Sequence, residues 1–331
     1  MNESYQAEDF AHLNIEVSRT WNIIDSSKAS TYATCPRKYF YSYILGWRPD
    51  SVNHDLVFGE AWHRAKEHMM LTGNKDVDGA MGEFLIYYRQ YFQESTDLDY
   101  HPKSPGNAYT ALKEYQKQYG TDEFEVVLLD GVPMTEIYGT VPIDEHRMAH
   151  FRIDCIVNTD KGKEFMDSKT SKMLSKWWSD QFSLSLQMGL YIHVMNCVFP
   201  NDNNGGRIDG SIFRKGGNDH IRVPVRRTLP MMQDWLWTFT EFYNDIERDM
   251  VRLSKCQEGH EVMMAFPKNP EGCFKYNRTC SFHDFCTSWN NPLKRADKSP
   301  MGLVVEWWDP ADRKDHKAKH VINIKDPISD I

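Results

Sequence analysis

The sequence lacks any long hydrophobic run: its apolar stretches fall far short of the roughly 20 residues that a membrane-spanning helix needs. The start, MNESYQAEDFAHLN, is acidic and polar, unlike a secretory or transit signal, so a soluble cytoplasmic protein is expected. No G-x-x-x-x-G-K-(S/T) loop occurs, which excludes the common phosphate-loop form of ATP hydrolysis. Internal repeats and low-complexity tracts are missing as well. Cysteine is scarce, and seven in 331 residues do not suggest a disulfide framework. Nor is there an excess of basic residues: 39 Lys and Arg stand against 47 Asp and Glu, a net charge of −8. That balance counts against binding nucleic acid through bulk charge. It leaves room for basic groups gathered along one groove, with carboxylates at a metal site. Arg214 and Lys215, then Arg222, Arg226 and Arg227, then Arg313, Lys314, Lys317 and Lys319 are local candidates, and a solvated face explains each of them equally well.

What is present can build a sizeable core, since 40% of residues are hydrophobic and 13% aromatic. Residues 1–26 read as a polar arm and 27–122 as a helical region. Within it, Ser27 is a candidate N-cap, Tyr32, Cys35, Tyr39 and Tyr43 recur at helical spacing, and Pro36 marks a turn or helix start. A helix over Val57–Met70 and two more within 80–119 are expected. The texture then changes over 123–255. Short β-branched or aromatic runs such as HFRIDCIVN (150–158) and KEFMDSKT (163–170) alternate with Asp-Gly and Lys-Gly turns, the pattern of an antiparallel meander. One long helix over 175–198, a hairpin from GSIFRK and HIRVPVRR, and a helix over 230–255 follow. Residues 256–290 carry clustered cysteines, and the tail, 291–331, has one strand-like run, Gly302–Trp308.

The chemistry concentrates in the meander. Asp154 interrupts the apolar strand FRIDCIV, and the next strand presents Asp167-Ser168-Lys169. Side chains alternate along a strand, so Asp167 and Lys169 share a face. A bare D-x-K triplet is most often surface charge, but Phe165 and Met166 precede this one, and Ile153 and Ile156 flank Asp154. Two carboxylates beside an ammonium are what metal-assisted phosphodiester cleavage uses: hard oxygen ligands for Mg²⁺ or Mn²⁺, and a cation to activate water or stabilise developing charge. The carbonyl of Ser168 is a candidate further ligand. In the following helix Leu184, Gln187, Met188, Tyr191, Met195 and Val198 form one stripe, so Gln187 is polar on an inward face and projects with Tyr191. A satisfied core glutamine is the competing reading. Upstream, His63 shares a helix with Glu60 and Glu67.

The cysteines make a second pattern. Cys35 stands alone near the start, Cys155, Cys197 and Cys256 are scattered, and Cys273, Cys280 and Cys286 bunch near the end. Three clustered thiols and a remote fourth suit a four-thiolate metal site. Zinc is a rival occupant, with His283 able to replace one thiol.

In this order the residues resemble the RecB-like branch of PD-(D/E)XK nucleases that carry an iron–sulfur cluster, similar to CRISPR-associated RecB-like exonucleases and the AddB nuclease domain. The likeness runs from about Ser27 to Cys286. It rests on Cys35, the G-x-x-x-H run Gly59–His63, a strand glutamate (Glu136), Asp154, Asp167 with Lys169, the Q-x-x-x-Y pair Gln187 and Tyr191, and the three closing cysteines. The resemblance implies an α/β restriction-endonuclease-like core, a mixed sheet flanked by helices, with a helical cysteine-bearing module. It implies His63, Asp154, Asp167 and the Ser168 carbonyl as metal ligands, Lys169 as the catalytic lysine, Glu136, Gln187 and Tyr191 as further site residues, and a [4Fe–4S] cluster on Cys35, Cys273, Cys280 and Cys286. Glu123, Glu125 and Glu145 are alternatives to Glu136. The closing cysteines depart from the family's usual C-x2-C-x5-C, being spaced C-x6-C-x5-C. The implied function is a DNA exonuclease of recombination, repair or processing, with DNA and a helicase or processing complex as partners. Trp177 and Trp178 are candidate stacking surfaces for single-stranded DNA. A DNA-binding subunit that does not cut, and an iron–sulfur redox sensor, are the rivals, and an intact Lys169 speaks against the first.

Overall fold

The computed structural model describes residues 6–122, 124–275, 278–310 and 319–325. They form two compact units. One comprises Val52–Val141, Phe151–Met232 and the described residues beyond 314. It begins with three helices, α1 (His54–Leu71), α2 (Val77–Tyr88) and α3 (Pro105–Tyr119). Each starts where the sequence supplies a stop for the preceding chain. Asn53 and Asp76 cap α1 and α2 by accepting backbone N–H groups, and Pro105 opens α3, where its missing N–H costs nothing. The helices bury Phe58, Trp62, Phe84, Tyr88 and Tyr115 in one cluster.

A mixed sheet follows, built from β1 (Glu125–Val126), β2 (Thr135–Pro142), β3 (Met148–Thr159), β4 (Gly162–Ser171), β5 (Asn203–Arg214), β6 (Gly217–Val225) and β7 (His320–Asn323). Its order is β7-β2-β3-β4-β5-β6, with β1 paired to β3. The pairs β2/β7 and β4/β5 are parallel, and β1/β3, β3/β4 and β5/β6 antiparallel. A parallel neighbour needs a crossover, and the chain makes it through α4 (Lys176–Asp180) and α5 (Leu186–Val198). Helices flank both faces. Phe213 of β5 meets Phe58 and Trp62 of α1 at 4.9 Å, whereas Phe165 of β4 meets Tyr191 of α5 at 5.4 Å.

Three sequence expectations change here. The single helix over 175–198 is two helices: Ser175 and Ser185 each accept a backbone N–H and cap a new start, leaving Leu184 81% exposed rather than part of an inward stripe. Strand β5 begins at Asn203, well before Gly210, where the expected hairpin starts. Its glycines hide the alternation, yet Gly206 lies against the Phe165 ring with no space for a Cβ, and Gly205, at φ +77°, abuts the Val225 carbonyl. The tail carries a second strand, His320–Asn323, beside Leu303–Val305.

The other unit comprises the described residues of 1–51, 142–150 and 233–313. Its first long helix is Ser26–Thr34, capped not by Ser27 but by Asp25, whose Oδ1 accepts the Lys28 N–H at 2.8 Å. Cys35 is extended, and Pro36 starts a new turn, Pro36–Tyr39, as its fixed φ favours. The stretch from Thr34 to Arg37 is bound to the distal segment. Arg37, 2% exposed, donates from Nε to the Phe266 carbonyl at 2.9 Å, and Asn269 donates to the Thr34 carbonyl at 2.8 Å. The Tyr39 ring stacks on Phe266, and Tyr41 stacks on Trp47. Among the described residues no helix is long and apolar enough to cross a membrane.

Candidate active site

The β3/β4 hairpin keeps regular pairing only as far as Cys155 and Met166. One residue further the strands part, and the carboxylate of Asp154 takes the place of a backbone carbonyl: its Oδ2 accepts the Ser168 N–H at 2.9 Å. The gap admits His63 from α1, whose Nδ1 lies 2.9 Å from the same Asp154 oxygen. Asp167 is 1% exposed, and its Oδ2 lies 2.6 Å from Lys169 Nζ. Four of the residues expected from sequence therefore converge where two strands separate.

The electrostatics follow from burial and neighbours. Burial pushes the Asp167 carboxyl up, and the nearby Asp154 charge adds to this, so Lys169 only partly offsets the rise. Asp154 is driven the other way. Burial would raise it, but His63, with Lys169 and the Ser168 N–H, holds it well below the usual carboxylate range. Burial would likewise lower His63, yet Asp154 outweighs it and lifts the imidazole to about 9. Lys169 is raised above its ordinary value, because Asp167 and Asp154 outweigh its burial, and it remains an ammonium at neutral pH.

On α5, Gln187 Nε2 donates to the Tyr191 hydroxyl at 2.9 Å, the i, i+4 pairing that the spacing predicts. Tyr191 is 3% exposed, and its phenol is pushed far up by burial and by the charges of Asp167 and Asp154. Glu136 is drawn into the same electrostatic neighbourhood. It is 4% exposed, and its Oε2 accepts from Arg152 Nε at 2.9 Å. Its backbone is left-handed, at φ +50°, a strained setting for a side chain of its size. Of the alternatives, Glu125 and Glu145 are exposed and Glu123 lies outside the described residues. Glu60 and Glu67 turn to cations, Arg64 at 3.6 Å and Lys319 at 2.6 Å.

The basic candidates mostly have carboxylate partners. Arg214 pairs with Asp219, Arg226 with Glu164 at 3.0 Å, and Arg222 with Asp122 at 2.5 Å. Arg227 donates to the Ser185 carbonyl at 2.7 Å. Arg313, Lys314 and Lys317 lie outside the described residues. Sequence reasoning missed two groupings, of which the second is buried. Lys103 and Lys172 both face Asp55 Oδ1, at 3.3 and 3.2 Å. Lys66 and Asp209 pair at 2.9 Å. Neither has a sequence signature, because their members lie tens to more than a hundred residues apart.

The profile of the PD-(D/E)XK nuclease superfamily matches residues 26–287. The chain belongs to the PD-(D/E)XK nuclease superfamily. That family is one of metal-dependent nucleases, which typically use Mg²⁺ or Mn²⁺, and the mixed sheet flanked by helices is its fold. Among solved structures, one titled "Crystal structure of SSO0001" is 13% identical, covering 48% of this chain and 70% of that one at a TM-score of 0.24, too low to carry an argument. No curated protein matches.

Does this nuclease offer the metal a place? Among the described residues Asp167 Oδ1 is buried without a hydrogen-bond partner, a costly state for a carboxylate oxygen and one that a cation would relieve. Asp154 adds a second hard oxygen donor. His63, however, is turned to Asp154 as an ion-pair partner. Among the described residues no three His, Cys, Asp or Glu side chains are already disposed as a metal-binding group. The donor chemistry fits Mg²⁺ or Mn²⁺, and the side chains are arranged as an ion cluster in which His63 faces Asp154 and Lys169 faces Asp167.

In the cysteine-bearing unit, Cys35 is 8% exposed, and Cys273, Cys280 and Cys286 are half-buried. Short strands Phe274–Lys275 and Arg278–Thr279 bring Cys280 back to Cys273, its N–H donating to the Cys273 carbonyl at 2.8 Å. Burial raises the Cys273 thiol, and Cys35 and Cys280 raise it further. Burial also pushes Cys286 up to about 11; Arg37 opposes this, and Cys35 and Cys280 contribute. The four thiols are neighbours without forming a ready ligand set.

Proposed function

We propose that this nuclease is a RecB-like DNA exonuclease that acts on ends or single strands in recombination, repair or DNA processing. The cytoplasm is its proposed setting, and a helicase or processing complex its proposed partner. The reading is carried by one observation: Asp167, buried with an unpartnered oxygen, beside Asp154, Lys169 and His63. Asp154, Asp167, the Ser168 carbonyl and a neutral His63 would hold Mg²⁺ or Mn²⁺, which when bound polarises the phosphate and favours hydroxide at neutral pH. The chain's own residues do the rest. Lys169 keeps its proton and places a positive charge where the phosphate gains negative charge. Tyr191, fixed by Gln187, stays a neutral phenol beside the carboxylates. Glu136 holds Arg152, which keeps a third carboxylate from adding uncompensated charge.

The test is digestion of end-labelled single- and double-stranded DNA with Mg²⁺ or Mn²⁺ and with EDTA, comparing the native chain with Lys169→Ala. The expected result is metal-dependent release of short products, reduced by about 10²- to 10³-fold in the variant. Absence of cutting by the folded native chain would favour the DNA-binding subunit that does not cut.

The four neighbouring thiols support a [4Fe–4S] cluster on Cys35, Cys273, Cys280 and Cys286. Hydrogen bonds from Arg37 and Asn269 already join the two segments that carry them, so the cluster would lock a contact the protein makes itself. Anaerobically purified protein should hold roughly four iron and four sulfide per chain. Zinc in their place would overturn this part.

A further inference from the structure

Three residues beyond Lys169 the chain leaves β4 and runs through residues 172–185 to α5. Two adjacent indoles in this segment have opposite fates. Trp178 packs edge-on against Phe182 at 5.1 Å, and its ring fills the space above Gly210, where a Cβ would lie 2.3 Å away. Gly210 is the β5 partner of Lys169 itself. Trp178 therefore pins the segment to the sheet directly beside the candidate catalytic lysine, helped by the Ser175 cap on its backbone N–H. Trp177, held by that anchor, is 84% exposed. An indole kept in water has no packing reason to be there, and its rigid neighbour fixes where it stands.

The charge beside it is mixed but leans basic, with two lysines and Asp180 in the same segment. Lys172 and Lys176 are exposed in the same segment. Lys172 shares the single Asp55 Oδ1 with Lys103, two ammonium groups on one carboxylate oxygen. Lys103 is 5% exposed and donates to Thr170 Oγ1 at 3.0 Å, which ties it to the residue after Lys169. The exposed Lys172 at the end of the candidate catalytic strand complements a phosphate. A flat, accessible indole next to it complements an unstacked base.

We propose that residues 172–185 seat an unpaired DNA strand: a base stacks on Trp177, and the phosphate beside the one being cut lies on Lys172, backed by Lys103. This rests on the nuclease reading of the neighbouring carboxylates and adds the preference for single strands. A base within a duplex has no accessible face for Trp177, so a duplex closed at both ends by hairpin loops too short to reach it should gain nothing from it.

The test measures binding of fluorescein-labelled oligo(dT) and of a duplex closed at both ends by hairpin loops in EDTA, where nothing is cut, to the native chain, Trp177→Ala, Trp177→Phe and Lys172→Ala. Trp177→Ala should weaken oligo(dT) binding about 5- to 150-fold and leave duplex binding unchanged. Trp177→Phe should retain most of the affinity. Lys172→Ala should lower the salt dependence of oligo(dT) binding by about 0.7 in log–log slope. Equal oligo(dT) binding by Trp177→Ala and the native chain would overturn the seat even if the protein cuts DNA. Weakened binding by Trp177→Ala in a protein that cuts nothing would uphold the seat and remove the nuclease reading.

Discussion

Strand β4 separates two clusters of buried charge that use similar residues differently. Asp209 of β5 is the direct neighbour of Ser168, one position from Asp167. Its Oδ2 lies 2.9 Å from Lys66 Nζ and accepts the Tyr115 hydroxyl at 2.7 Å. Arg222 donates to that same hydroxyl at 2.8 Å and pairs with Asp122. Burial would raise Asp209, but Lys66 and Arg222 outweigh it and keep the carboxyl below its ordinary value. Here two basic side chains answer two carboxylates, and the phenol donates a hydrogen bond to one of them. Among the described residues Asp167 faces one lysine, Lys169, with a second carboxylate close by, and the phenol of Tyr191 takes its hydrogen bond from an amide. The deficit is met by drawing a proton onto His63. A cluster closed by its own cations is structural. One that borrows a proton leaves a place for a metal ion.

The largest effect that could break this contrast is on stability. Asp209→Asn would strand Lys66 in the core without a carboxylate, and breaking a buried pair in this way costs about 3–5 kcal/mol. Asp167→Asn should behave differently. A carboxyl whose folded pKa is raised destabilises the folded state when ionised, so removing its charge should leave stability within about 1 kcal/mol of native, or raise it. The same change should abolish most metal-dependent cleavage. Urea unfolding of both variants at neutral pH measures the difference, and equal losses would show that the two clusters play one role.

Much of the open cluster was legible because its parts lie on elements with clear local signals. Alternation around Asp154 and Asp167, with Gly162 in the turn between, defines a hairpin whatever the rest of the chain does. The Gln187–Tyr191 spacing works on any helix. The parting of β3 from β4 after Cys155 was not legible, since no residue type announces where a ladder stops. The closed cluster stayed hidden for a related reason: Lys66, Tyr115, Asp209 and Arg222 sit on four elements and meet only after folding. Arg222 stood among the candidate groove cations, with a solvated face an equally good reading, and it belongs instead to this cluster. Glycine obscured β5, because Gly205, Gly206 and Gly210 are placed for close approach by Val225, Phe165 and Trp178 and contribute nothing to an apolar pattern. The adjacent Trp177 and Trp178 were indistinguishable until the neighbours of each were known.

A smaller effect sharpens the contrast through pH, because each cluster holds a histidine and the two titrate in opposite senses. His220 lies beside the closed cluster, 7% exposed, with Nε2 2.9 Å from the Ala111 carbonyl and Nδ1 3.1 Å from Ser211 Oγ. These partners suit a neutral ring that donates from Nε2 and accepts at Nδ1. Burial, reinforced by Lys66, lowers its pKa to about 4. The unfolded chain takes up this proton near pH 6.5 and the folded one near pH 4, so stability is complete above about pH 6.5 and declines as pH falls towards 4. Between pH 8 and pH 5 the loss should be about 2 kcal/mol. His220→Gln, which can keep both hydrogen bonds, should flatten that window. His63 has the reverse sign. Its folded pKa of about 9 lies above the unfolded value, so its contribution is complete below about pH 6.5 and is lost as pH rises through 9. In EDTA, His63→Gln should therefore flatten the alkaline side and leave the acid side unchanged. Urea unfolding across pH 5–10 reads both slopes. If His220→Gln kept the acid slope, or His63→Gln removed it, the division into one cluster that excludes a proton and one that recruits it would fail.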